Sequence, residues 1–181
     1  MIRITGTIEG VAPLLFSRMY ANLGGPGGKP SPEAIEQEPY LKLHRDDEHG
    51  CFIPGTSFKQ ALLGGAKMGK VQDGRRNYSV VLEATLFPEG NFYLGKQTYD
   101  DVLETWGRRP PGPRGAAIML RYPRFVAGWA APFSMILTQG DGNTVEAIKR
   151  SLDAAGLLVG VGSWRPEYGR FIVKDFAFAD V

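Results

Sequence analysis

The first residues of the chain alternate between apolar and polar side chains. Ile2, Ile4 and Ile8 share one face of an extended segment, and the positions between them are mostly polar. Gly6 interrupts the apolar row. A period of two is typical of a strand with one buried face, so the chain is predicted to open with a half-buried β-strand.

Two later segments carry apolar residues at helical spacing. The first follows Pro54, with Thr56 or Ser57 as its predicted cap, and the second covers 145–155, with Thr144 as its cap and Gly156 at its end. The apolar stripe of the first helix consists of Phe58, Ala61, Leu62, Ala66 and Met68. Gly64 and Gly65 weaken that helix, which indicates close packing by another element.

Further strands are predicted at 40–44, 51–53, 78–87, 116–120, 129–137 and 168–178. The segments about 17–50 and 88–115 are predicted as insertions, since they include the glycine, proline and arginine clusters. The core order is then strand, helix, strand, strand, helix, strand. This order predicts an α+β protein with a ferredoxin-like, or RRM-like, βαββαβ core. Because 181 residues suffice for one substantial core, residues 1–181 are predicted to form a single domain.

The composition of the chain indicates its cellular location and shows how its charges are clustered. No apolar run approaches the roughly 18 residues that span a bilayer, the start lacks a signal-peptide pattern, and Cys51 is the lone cysteine. These features predict a soluble protein in a reducing cytoplasm. The net charge of +2 is small, but 31–50 are mainly acidic while 59–76 and 105–124 are mainly basic. This clustering indicates either a basic working face with an acidic patch for a neighbouring subunit, or a solvated surface clustered by chance.

The segment 156–171 combines glycines, arginines and aromatic residues. Its candidate nucleic-acid-binding residues are Gly160, Gly162, Trp164, Arg165, Tyr168 and Arg170. Glycines let a backbone approach a phosphate, arginines pair with phosphates, and aromatic rings stack on bases. The alternative is that the glycines only turn a helix into a strand, with Trp164 in the core and the arginines in surface ion pairs.

Two nucleotide-binding patterns are excluded. A dinucleotide fingerprint needs a third glycine where Arg165 stands, and a helix where a strand is predicted. The run ending in Lys29 is one residue too short for a phosphate loop, and Pro30 removes an amide that such a loop uses. No cofactor is therefore predicted.

A second basic region interleaves arginines with aromatic residues. Its candidate nucleic-acid-binding residues are Arg108, Arg109 and Arg114, and Arg121 and Arg124 follow beside Trp106, Tyr122 and Phe125. A groove that binds single-stranded nucleic acid has this composition of arginines and aromatic residues. An exposed loop rich in arginine and proline has it too, and both interpretations stay open.

Histidines and aspartates cluster on a predicted turn. His44, Asp46, Asp47 and His49 include metal-ligand types, but side chains on a tight turn point into water, so no metal site is predicted. His44, Asp46 and Asp47 are also candidates for catalysis at a 2′-hydroxyl of RNA. Nothing in their spacing specifies that chemistry, and a binding protein is favoured over an enzyme.

The opening strand, the segment Ile53-Pro-Gly-Thr-Ser-Phe-Lys59 and the loop 160–171 together resemble the RAMP superfamily. These ferredoxin-like proteins form the backbone of CRISPR effector complexes, and the chain looks most like small stand-alone members carried by phages. The resemblance implies that Ser57 and Lys59 face the guide strand, and that Gly160, Gly162, Arg165 and Arg170 lie beside bound RNA. It also implies a hairpin-like thumb, formed by 19–40 or 91–115.

The resemblance implies a repeating, non-catalytic backbone subunit that coats single-stranded RNA, or single-stranded DNA. Copies would join by head-to-tail contacts, and no membrane partner is expected. No carboxylate of this chain matches the RNA-cleaving aspartate that some members carry. A RAMP-type endoribonuclease and a structural or partner-binding protein without nucleic acid remain the two alternatives.

Overall fold

In a computed structural model of the protein, the structure describes residues 1–17, 38–109 and 115–181. The helices are α1 (Gly55–Met68), α2 (Tyr78–Thr85) and α3 (Gly142–Leu158), with a short 3-10 helix at Pro39–Lys42. The strands are β1 (Ile2–Gly10), β2 (Leu14–Leu15), β3 (Arg45–Asp46), β4 (Gly50–Ile53), β5 (Gln72–Asp73), β6 (Arg76–Asn77), β7 (Leu86–Pro88), β8 (Phe92–Tyr93), β9 (Asp101–Arg109), β10 (Ala116–Phe125), β11 (Ala130–Leu137) and β12 (Phe171–Asp180).

The main sheet has the strand order β12, β1, β11, β7, and every neighbouring pair is antiparallel. The alternation predicted for β1 is present, because Ile4 and Ile8 are fully buried. They face a core that includes Phe58 of α1 and Leu152 of α3. The mixed α+β class expected from the sequence is thus confirmed. Within the described ranges, no helix has both the length and the apolar composition to cross a membrane.

Helices α1 and α3 pack closely at the glycine pair. A Cβ atom on Gly65 would lie 2.2 Å from the carbonyl oxygen of Ser151, and one on Gly64 would lie 3.3 Å from Val159. The close approach predicted from these glycines is confirmed. Gly156 has the same role rather than ending α3, since its Cβ would lie 2.1 Å from the carbonyl oxygen of Phe171.

Four local predictions are wrong. Residues 78–85 form α2 instead of a strand, because Asn77 caps the helix by accepting from the Ser79 amide at 2.9 Å. Residues 39–42 form a 3-10 helix that begins at a proline. Neither Thr56 nor Ser57 caps α1, whose N-cap is Pro54, and α3 is capped by Asp141 in a reciprocal capping box with Thr144.

Strand β9 lies in the segment that was predicted as an insertion, and it forms a long hairpin with β10, which includes the predicted strand 116–120. One face of the hairpin packs over a small second core made by Leu15, Leu120 and Tyr122. At the base of the hairpin, Arg124 binds the carboxylate of Asp101 through two hydrogen bonds, of 2.7 and 2.5 Å. The segment 91–115 therefore contributes β9 to a hairpin, while residues 19–37 of the other candidate thumb lie outside the described residues.

Candidate nucleic-acid interface

The glycine-rich loop, defined as residues 159–170, connects α3 to β12. The amide of Ser163 donates to the carbonyl of Leu15 at 2.9 Å, and that of Gly169 donates to Pro13 at 2.7 Å. Gly162 has φ +78°, and a Cβ atom there would lie 2.5 Å from the carbonyl oxygen of Leu15. Gly162 thus permits close packing of the loop backbone against β2. This packing holds the intervening side chains at the surface.

A cavity of about 330 Å³, called the loop cavity below, lies between this loop and the start of α1. Its lining residues come from four separate parts of the chain: Phe16, His44, Ile53, Pro54, Ser57, Gln60, Gly162, Ser163 and Arg165. The fold thus brings together candidates that were predicted from three separate segments: His44, Ser57, and Gly162 with Arg165. Sequence reasoning missed Gln60, although it lies one helical turn beyond Ser57 and therefore on the same face of α1.

The chemistry of the loop cavity favours an anionic or polar ligand over a cation. Its deepest residues, Phe16 and Ile53, are buried, while Ser57, Gln60 and Arg165 are exposed. The side chains of those three make no hydrogen bond or ion pair with other described residues, and no described Asp or Glu lines the cavity. No side chain caps the first amides of α1, so the positive end of this helix faces the same region.

A second depression, called the loop groove, has a volume of about 740 Å³ and shares Gly162, Ser163 and Arg165 with the loop cavity. Arg165 therefore lies on the ridge between the two spaces. Trp164 also lines the groove and is 44% exposed, so the alternative interpretation that placed it in the core is wrong. Its ring lies 5.2 Å from the ring of Tyr122 and 6.3 Å from that of Tyr168. Tyr168 is half-buried against the second core, so its contact with the indole joins Trp164 to that core.

Lys59 lies away from the loop cavity. Two positions along a helix differ by about 200° in direction, so Lys59 points to the side of α1 opposite Ser57. Its Nζ donates to the carbonyl of Glu83 at 2.7 Å and lies 4.7 Å from the centre of the Phe87 ring. Burial at this position lowers the pKa of the Lys59 ammonium, which the charge of Glu83 partly opposes.

The other predicted cations are dispersed. Arg170 is exposed but lines neither space, and its carbonyl accepts from the amide of Val11 at 2.9 Å. Arg108 donates to the carbonyl of Gly115 across its own hairpin at 2.9 Å. Arg109 ends β9, and Arg114 lies outside the described residues.

Two further hairpin arginines are paired with acids. Arg121 contacts Glu104 at 2.9 Å, and Arg124 binds Asp101. The Arg124 guanidinium lowers the pKa of Asp101, chiefly through its hydrogen bonds. Of the described arginines in 105–124, Arg108, Arg121 and Arg124 thus make their contacts within the hairpin.

The three catalytic candidates are separated by the fold. His44 lines the loop cavity. Asp46 instead accepts hydrogen bonds from the Tyr93 hydroxyl and the His49 amide, both at 2.6 Å, and these two bonds lower its pKa, that from Tyr93 most. Asp47 is almost fully exposed, 3.2 Å from Arg45. In residues 1–17, 38–109 and 115–181, no group of three or more His, Cys, Asp or Glu side chains is arranged to hold a metal ion.

A larger cavity of about 800 Å³, called the helix cavity, lies beside α2 and the start of α3. None of the predicted site residues lines it. Arg76 and Arg150 are offset there by Asp141 and Glu146, so its charge selects no single class of ligand.

Comparison with known protein families finds no match to this chain, and comparison with curated proteins finds none either. The functional conclusion therefore depends on the geometry of the described residues.

Proposed function

We propose that the protein binds single-stranded nucleic acid, RNA in preference to DNA, across the ridge between the loop cavity and the loop groove. One observation carries the proposal: Ser57 and Arg165, singled out by two motifs far apart in the sequence, line one cavity. Arg165 on the ridge and Ser57 at the cavity mouth suit a backbone phosphate, which the uncapped start of α1 also favours. Trp164 in the groove offers a stacking surface for a neighbouring base.

The proposal extends to a ferredoxin-like fold and to membership of the RAMP superfamily. In chain order, the main sheet and its packed helices run β1, α1, β7, β11, α3, β12, which agrees with a βαββαβ plan. The segment 53–59 leads into α1, and the glycine-rich loop precedes the last strand, as the resemblance implies.

The protein would act as a repeating, non-catalytic subunit in a reducing cytoplasm. Head-to-tail contacts between copies are supported by the separation of acidic and basic segments, and by Trp106, which is 70% exposed on the β9–β10 hairpin. Binding without cleavage is supported because no described carboxylate lines the loop cavity or the loop groove. Cys51 is buried and free, which suits reducing conditions.

Fluorescence anisotropy of labelled single-stranded RNA tests the proposal, with protein that has been freed of carried-over nucleic acid. Affinity should fall with rising salt, and Arg165→Ala should weaken binding and reduce the slope of log K against log salt by about 0.7. Arg150→Ala is the matched control, since this exposed arginine lines the helix cavity instead. Salt-independent behaviour of the wild type, or an Arg165→Ala variant that binds like the wild type, contradicts the proposal.

The same samples test for cleavage. His44 lines the loop cavity, and this position is the one observation that favours an endoribonuclease. Labelled RNA should remain intact after long incubation. Cleavage that disappears in His44→Ala would replace the binding proposal with the endoribonuclease alternative.

A further inference from the structure

We propose that the loop cavity receives a single unstacked nucleobase of the bound strand, and that Gln60 selects adenine at that position. This inference rests on the proposed function, because the base belongs to the strand whose phosphate lies at Arg165. It adds sequence selectivity at one nucleotide to a contact that is otherwise made with the backbone.

The size and the walls of the cavity suit one base. At about 330 Å³, it is near the lower end of the roughly 300–1,000 Å³ of ligand pockets, so it has room for one ring system but not for a duplex. Phe16 and Ile53 give it an apolar floor. The ring of His44 meets that of Phe16 edge-on at 5.4 Å and forms an aromatic wall of the kind on which bases stack.

The polar groups lie toward the mouth, where the edge of a base, its sugar and the adjoining phosphate would be. Ser57 and Gln60 are exposed there, and Ser163 is half-exposed on the opposite, loop side. A hydroxyl donates or accepts as required, so the two serines place few demands on the ligand. Selectivity between bases therefore depends on the side chain whose donor and acceptor are separate groups, which is Gln60.

The amide of Gln60 presents one acceptor and a donor group side by side. We place the Hoogsteen edge of the base at Gln60. On that edge adenine presents the complement, an N6 donor beside the N7 acceptor, which is the usual partner of a glutamine. Guanine presents two acceptors there, O6 and N7, which would leave the oxygen of Gln60 facing an acceptor at a cost in binding. The Gln60 side chain makes no hydrogen bond with another described residue, so no internal contact is lost on binding.

Short homopolymers of the four ribonucleotides test the inference by anisotropy. Wild type should bind the adenine oligomer about tenfold more tightly than the guanine oligomer. Gln60→Ala should bring the four affinities together while leaving a salt-dependent affinity in place. Gln139→Ala is the matched control, because this exposed glutamine lines the helix cavity. Thermal unfolding should be unchanged in both variants, since both side chains are at the surface.

The outcomes separate the two proposals. Equal affinity of wild type for all four oligomers, a preference for another base, or an adenine preference that survives in Gln60→Ala overturns the inference. Each of these results leaves backbone binding at Arg165 intact. If no oligomer shows salt-dependent binding, the proposed function fails and the inference fails with it.

Discussion

The indole of Trp164 packs against the ring of Tyr122, with centroids 5.2 Å apart and planes inclined by 60°. Tyr122 belongs to β10, so this contact joins the glycine-rich loop to the hairpin. Trp164 also has a φ of +57°, a left-handed conformation that costs a non-glycine residue about 1–2 kcal/mol. The loop thus maintains an unfavourable backbone conformation while it presents a large ring that is only half-buried.

Trp164→Gly is expected to separate binding from stability. Loss of the aromatic contact costs about 0.5–1.5 kcal/mol. Glycine adopts the left-handed conformation without strain, which regains about 1–2 kcal/mol. The free energy of unfolding in urea should therefore change by less than about 1 kcal/mol. RNA affinity should fall at least about tenfold, since stacking contributes about 1–3 kcal/mol per base. Trp164→Phe, which keeps a ring, should retain most of the affinity, and an unchanged affinity in Trp164→Gly would remove the stacking role.

Lys59→Met is expected to leave RNA binding within about twofold of the wild type, because Lys59 points away from Ser57 on α1. The variant loses the hydrogen bond from Nζ to the carbonyl of Glu83, so it should lose about 1 kcal/mol of stability. Anisotropy and urea unfolding measure the two effects. A loss of affinity as large as that of Arg165→Ala would restore Lys59 to the position that the family resemblance implied.

Ser57→Ala and Arg165→Ala should be coupled in a double-mutant cycle for RNA affinity. Both side chains line the loop cavity, and residues that contact one ligand group give interaction energies of about 0.5–3 kcal/mol. The cycle of Ser57→Ala with Arg150→Ala supplies the control and should be additive. Additivity in the first cycle would show that the two residues do not share a phosphate.

Gly162→Ala is expected to destabilise the fold by about 2–3 kcal/mol. The added methyl would lie 2.5 Å from the Leu15 carbonyl oxygen and the Leu14 side chain, at φ +78°, so overpacking and backbone strain add. Gly142→Ala is the control, because its methyl meets nothing within 4 Å and alanine favours a helix. Urea unfolding should show the loss in the first variant alone; equal stabilities would mean that the loop moves freely off β2.

Acid should selectively remove the contribution of Asp46 to stability. Its folded-state pKa is lowered, first by the Tyr93 hydroxyl and then by the His49 amide. The contribution is therefore complete above the unfolded pKa of about 3.9 and is lost as pH falls through the lower, folded value. Thermal unfolding of wild type and Asp46→Asn should differ by a constant amount down to about pH 5 and converge below about pH 4. Tyr93→Phe should reduce the pH-dependent part of this stability difference. A difference that grows on acidification would contradict a lowered pKa for Asp46.

The pattern of apolar and polar residues was sufficient to predict an element wherever neighbouring residues decide its structure. The period-two row of β1 and the buried stripe of α1 from Phe58 to Ala66 follow from residues near one another in the chain, whereas Met68, predicted in that stripe, is 58% exposed. Residues 78–85 were assigned wrongly because a short apolar run fits both periods. There the Asn77 cap and the burial of Tyr78 and Leu82, one turn apart, favour a helix.

The membership of the candidate site depended on tertiary structure. Ser57 and Lys59 are two residues apart, yet the pitch of α1 places them on opposite sides. Ser57 and Arg165 are far apart in the chain, yet they line one cavity, where the glycine-rich loop is hydrogen-bonded to the segment that holds Pro13 and Leu15. The sequence alone determined which residue types were available to bind a strand. The packing of the loop beside α1 decided which of them share a cavity, because only long-range contacts bring distant segments together.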